Sequence, residues 1–108
     1  MQWKWTFPVF FIALTAAAQI PSVETQFEQA MESSMTRMDK GMAGAPMTGN
    51  VDRDFATMMK PHHQGAIDMA KAELRYGKDP VMRRIAEEIV VDQQSEIDAM
   101  NLWLSKKP

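Results

Sequence analysis

Two histidines, His62 and His63, stand side by side, and methionine sulfur lies within one helical turn of both. On a helix, Met58 and Met59 fall four and three residues before His62, and Met59 falls four before His63, the spacings at which neighbouring side chains meet. Thioether sulfur with imidazole nitrogen is a ligand set for a soft monovalent ion, copper(I) or silver(I), rather than for magnesium or calcium. The two imidazoles point about 100° apart around a helix, so they do not simply close on one ion as a chelate. The expected central ligands are His62, His63, Met58 and Met59, with Met69 further along the same face.

Composition agrees with that chemistry and removes others. The chain of 108 residues has 11 methionines and no cysteine, which excludes disulfides, thiolate zinc sites and cysteine nucleophiles. A net charge of −2, with no basic stripe, argues against a nucleic-acid partner. A di-iron bundle needs Glu-x-x-His pairs, but the residues three before His62 and His63 are Met59 and Lys60. There is no nucleophile elbow or glycine-rich phosphate loop, so a binding protein is expected rather than an enzyme, with no organic cofactor.

The elements that hold these residues are expected to be three helices and no sheet, because nothing alternates with period two. Thr25-Gln26-Phe27-Glu28 has capping-box spacing and predicts a helix start. Phe27, Met31, Met35, Met38 and Met42 then recur at steps of three and four, one face of that helix. Such a stripe is first of all a core face, since methionine is an adaptable core filler. Met31, Met35, Met38 and Met42, together with Met47 in a loop where burial would not explain it, form an auxiliary set of soft donors. Residues 41–50 read as a loop. Asn50 or Asp52 caps a second helix running to about Tyr76, with Gly77 as its left-handed terminator. On it Phe55, Met58, Met59, His62, Ala66, Met69 and Ala70 share a sector about 120° wide. Pro61 predicts a kink, or else marks where the helix proper begins. Asp79-Pro80 opens a third helix that runs to Lys106 and Lys107, antiparallel to the second. On its apolar face, Met82, Ala86, Ile89, Val90, Ile97, Met100 and Leu104, Gln93 falls in the middle and Glu96 at the margin. Gln93, with Glu96 beside it, is expected to accept the free ring N–H of His62 or His63 and so fix the tautomer that presents the other nitrogen to metal, or else Gln93 bonds to backbone or water.

Residues 1–18 have the outline of a secretory signal peptide: Lys4, an apolar run, and Ala16 and Ala18 before a mature start at Gln19. The apolar run is short of the roughly 20 residues a spanning helix needs. Residues 19–108 then form one helical domain, periplasmic or secreted, with no membrane contact after cleavage.

The run DFATMMKPHHQGAIDMA, followed by YGKDP and QQSEIDAMNLWL, closely resembles the bacterial domain-of-unknown-function family 305, which includes CopM-type copper-binding proteins. The resemblance covers the stretch 54–104, and the family motif region is set at 52–105. It implies a ferritin-like helical bundle, an extracytoplasmic location, and copper or silver binding tied to metal tolerance. It carries ligand roles onto Met58, Met59, His62, His63 and Met69, and a C-terminal signature onto Gln93, Glu96 and Met100, the last joining the auxiliary set. Lys60 stands where the family usually has an apolar residue. Three helices make only a half-bundle, able to dimerise or to leave a methionine face open to a metal-delivering envelope protein. The competing expectation is a metal-indifferent helical interaction module of the cell envelope.

Overall fold

The computed structural model describes residues 1–6, 8, 10, 12–13 and 16–106. Three helices, α1 (Val23–Ala43), α2 (Val51–Tyr76) and α3 (Pro80–Lys106), make an all-α antiparallel bundle, and among the described residues there is no strand. The expected leader falls partly outside the described residues. Among those described, no helix is long and apolar enough to cross a membrane.

The helix ends follow local chemistry. Ser22, not Thr25, caps α1: its hydroxyl accepts from Thr25 N at 3.1 Å, which moves the start ahead of the T-x-x-E box. At the other end α1 runs on through Gly41 and Met42 to Ala43, so the expected loop shortens to residues 44–50. Asn50 caps α2 as expected, its side chain accepting from Arg53 N at 3.0 Å. Asp79 caps α3 through Val81 N and Met82 N, with Pro80 in the first turn. Gly77 is not left-handed (φ −75°, ψ 156°). The carbonyls that a left-handed terminator would satisfy have another donor, because Arg83 Nη1 reaches Leu74 O at 2.6 Å and Gly77 O at 3.0 Å. Pro61 lies inside an unbroken α2, which sets aside the reading in which it opens the helix.

α1 and α3 each pack on α2 and not on one another. Contacts across the first pair join Phe27 to Tyr76, Arg37 to Asp68, Met38 to Gly65 and Gly41 to Pro61. Across the second they join His63 to Glu96 and Leu74 to Arg83. In both sets one residue number falls as the other rises, so neighbours are antiparallel. The α1–α2 seam is built from small residues. A Cβ on Gly41 would stand 2.6 Å from Pro61 Cβ, and one on Gly65 would stand 2.8 Å from Met38 Cβ. Ser34 is buried in α1, its hydroxyl turned back to Ala30 O at 2.7 Å.

This seam corrects the expected phase of the methionine stripe. Phe27, Ser34, Met38 and Gly41 face α2, while Met31 and Met42 are half-buried and Met35 is exposed. The backbones approach too closely for a row of thioethers, and the stripe turns toward one side of the layer. α2 behaves alike. At about 100° per residue, Pro61, Gly65 and Asp68 look to α1, whereas Ala56 and His63 look the opposite way to α3. Between them, Phe55, Met58, His62 and Met69 lie on one broad side, and Arg53, Lys60, Gln64 and Lys71 on the other. The α2 sector on which the spacing groups the ligands is, apart from the buried Ala70, an outward one, and His62 within it is exposed. Lys60 falls on the charged side, so its departure from the family pattern leaves the methionine side untouched.

Candidate metal centre

The loop between α1 and α2 is tied down by one carboxylate. Asp54 is buried in the first turns of α2, where Oδ1 accepts from Thr48 N at 2.8 Å and Thr48 Oγ at 2.6 Å, and Oδ2 from Gly49 N at 3.0 Å. The Thr48 hydroxyl above all, then the two loop N–H groups and nearby Arg53, holds the Asp54 carboxyl below its ordinary value of 3.8 against an opposing effect of burial. Gly49 takes φ 84°, the one described residue with a positive φ, a conformation a side chain would resist. The clasp fixes where residue 47 emerges.

Met47 emerges over the N-terminal half of α2. With Met58, Met59 and Phe55 it lines a pocket of about 360 Å³ whose floor includes Gly49, Val51 and Asp54. Met58 and Met59 are half-buried, and Met47 is 70% exposed. Both Asp54 oxygens already accept from the loop, so the unengaged side-chain donors of this pocket are three thioethers, a set that suits a soft ion.

The histidines are arranged otherwise. His63 is half-buried toward α3, its Nδ1 2.9 Å from Met59 O and its Nε2 2.5 Å from Glu96 Oε2. A carbonyl and a carboxylate both only accept, so in this arrangement both ring nitrogens donate, and Nε2 offers a lone pair to a metal only once its proton has left and Glu96 has moved aside. That nitrogen is held by Glu96, whose side chain is 61% exposed. Glu96 thus holds an imidazole, that of His63, and the expected role of Gln93 is not seen: its Oε1 is buried with no hydrogen-bond partner among the described residues. The ring of His62 lies 6.0 Å from that of His63, centroid to centroid, on the outward side of α2.

The structure thus brings Met47, Met58 and Met59 together and leaves the other expected ligands apart. Met69 is half-buried more than two turns beyond Met58. Met100 lines a different hollow of about 330 Å³ with Phe55, Ala56 and Trp103. Met38 is committed to the seam against Gly65. Among the described residues no three His, Asp or Glu side chains converge as they would around a hard or zinc-like ion. Asp54 was missed by sequence reasoning, although a Thr-Gly-Asn turn followed four residues on by Asp is the pattern that such a clasp requires.

Comparison with known proteins adds the following. Over 56 residues, 52% of this chain, the sequence is 38% identical to "Uncharacterized protein L153" of Acanthamoeba polyphaga mimivirus. The match spans 37% of that viral protein, well under half of its length. The model of the family described as "Domain of unknown function (DUF305)" matches residues 13–104. With the match running from before α1 nearly to the end of α3, the chain belongs to the DUF305 family.

Proposed function

We propose that this is an exported copper(I)- or silver(I)-binding protein that sequesters or shuttles the ion as cargo in metal tolerance. The observation that carries the reading is the meeting of Met47, Met58 and Met59 in one pocket whose carboxylate, Asp54, is already engaged by the loop. The ion enters past Met47, the most exposed of the three, and is gripped by Met58 and Met59 on the rigid helix. His63 joins only if Glu96 releases Nε2, and a metal-delivering envelope protein would dock beside Met47, the most exposed donor, with His62 further along the same side of α2. The leader-like residues 1–18 support a periplasmic or secreted setting, and the fold supports a ferritin-like half-bundle. Binding, not catalysis, is the role these residues fit.

Titration of copper(I) against a competing chelator tests this. Replacing His62 and His63 together by Ala is expected to weaken binding modestly, and replacing Met47, Met58 and Met59 together by Leu to weaken it at least tenfold. The outward apolar side of the layer favours a second reading, a metal-indifferent interaction module. The two part on thermal stability, since an ion that binds the folded state must raise the melting temperature. A melting curve indifferent to copper(I) would favour the module.

A further inference from the structure

The layer is one helix deep, since α1 and α3 pack on opposite sides of α2 and not on one another. What it buries is small: among the described residues the buried apolar ones are Ala56, Ile67, Ala70, Ala72, Ala86 and Ile97, and four of these are alanine. So slight a core is marginal for a chain of this size, and a second layer is the usual remedy.

The two broad sides of the layer are not alike. One is salted with Arg53, Lys60, Gln64 and Lys71, and at its α1 edge Arg37 pairs with Asp68 at 3.4 Å. The other carries Phe55, Met58 and Met69 of α2 around His62. Met31, Met35 and Met42 flank it on α1, turned away from Arg37. On α3 it continues into Trp103, which shares a hollow with Phe55, and by helical phase into Ile85, Ile89 and Glu96, whose carboxylate is turned back onto His63. Phe55 is 63% exposed and Met35 44%. With α2 of 26 residues spanning about 39 Å and three helices at 8–10 Å spacing, this side offers about 1,000 Å² per copy, enough for a standard interface of about 800 Å² per partner.

We propose that a second copy of this chain covers this face about a two-fold axis that passes near His62. His62 stands close to the middle of the central helix, so any two-fold packing of one face on its copy brings the two His62 rings toward the axis. One end of the face is acidic, with Glu24, Glu28 and Glu73 beside Phe27 and Tyr76. Like charge keeps those ends apart and selects the arrangement in which helices of the two copies run antiparallel. The paired His62 rings, with Met58 and Met69 around them, then form a soft ligand set that one copy leaves incomplete, a consequence that rests on the metal reading above. The assembly itself does not.

Light scattering on the full chain, in excess chelator, tests the assembly separately from the metal. A mass about twice 12.3 kDa is expected. Met69→Lys should weaken self-association at least tenfold, and Lys71→Glu on the opposite side should leave it unchanged. His62→Cys should give a covalent dimer with a short bis-maleimide, and Lys71→Cys should not. If Met69→Lys fails to fold, the Cys-substituted pair decides alone. A chain that stays monomeric through the micromolar range overturns the proposal, whether its face is bare or covered by its own N-terminal segment. So does a dimer that cross-links at position 71 and not at 62. A dimer that forms without metal and ignores copper(I) would sustain the proposal while removing the metal reading.

Discussion

Gly41→Ala pits two effects of opposite sign against each other on one helix. Helix propensity alone favours Ala over Gly by about 0.8–1.0 kcal/mol in a helix interior. The new methyl, however, would lie 2.6 Å from Pro61 Cβ and 3.5 Å from Pro61 Cγ, where carbon atoms rest at about 3.5–4.0 Å. Pro61 cannot rotate away, because the carbon is part of a ring fixed to the α2 backbone. The helices must separate by about 1 Å, the kind of overpacking that costs about 1–3 kcal/mol. The net expectation is destabilisation by about 1 kcal/mol, a fall in melting temperature of about 4–8 °C for a domain this small. Gly44→Ala is the control: its Cβ would meet Lys40 O at 3.3 Å and Gly41 O at 4.0 Å, and its backbone is already helical (φ −84°, ψ −5°), so stability should stay within about 0.5 kcal/mol. Circular dichroism melts of both variants decide the matter. If Gly41→Ala melts above the parent, the close α1–α2 approach is wrong, and with it the phase that turns the methionine stripe outward.

Further outcomes follow from single groups. Because the Asp54 carboxyl is held below 3.8 in the fold, its contribution to stability is complete above that pH and is lost as pH falls through the lower folded value. Asp54→Asn should therefore lower the melting temperature at neutral pH, flatten its dependence on acid, and weaken copper(I) binding by freeing the Met47 loop. Gln93→Leu removes a buried oxygen without a partner and should stabilise the fold by about 1 kcal/mol in urea titration, while a loss of stability would show that Gln93 bonds after all. Glu96→Gln breaks an ion pair whose acid is largely exposed, so stability should change by less than about 1 kcal/mol. By releasing His63 Nε2, that variant should hold copper(I) at least as tightly as the parent.

Capping chemistry made the helices legible. Asn50 and Asp79-Pro80 start α2 and α3 where their side chains predict, because a cap is a local bond between a side chain and N–H groups two or three residues on. The start of α1 was displaced because two hydroxyls compete there, and Ser22 takes Thr25 N before Thr25 can act as a cap. Gly77 misled because the donor that closes α2 comes from Arg83, on the next helix. The phase of packing was the least legible part. Apolar periodicity marks where methionine and phenylalanine lie, but α1 and α2 meet through Gly41, Pro61, Gly65 and Ser34, small residues with little hydrophobic signal. Of the candidate site, the spacing set Met58 and Met59 together, but left Met47 in a separate auxiliary set, because the turn that brings it over α2 depends on the Asp54 clasp. Nor was the geometry of the histidines legible, since the tie from His63 to Glu96 depends on how α3 docks.

The central claim is that thioether sulfur of Met47, Met58 and Met59 does the holding. X-ray absorption at the copper edge of the copper(I)-loaded protein measures the neighbours of the ion directly. A first shell dominated by sulfur, lost when the three methionines are replaced by Leu, is the expected result. A shell of nitrogen and oxygen alone, or a sulfur shell that survives those replacements, would contradict the account.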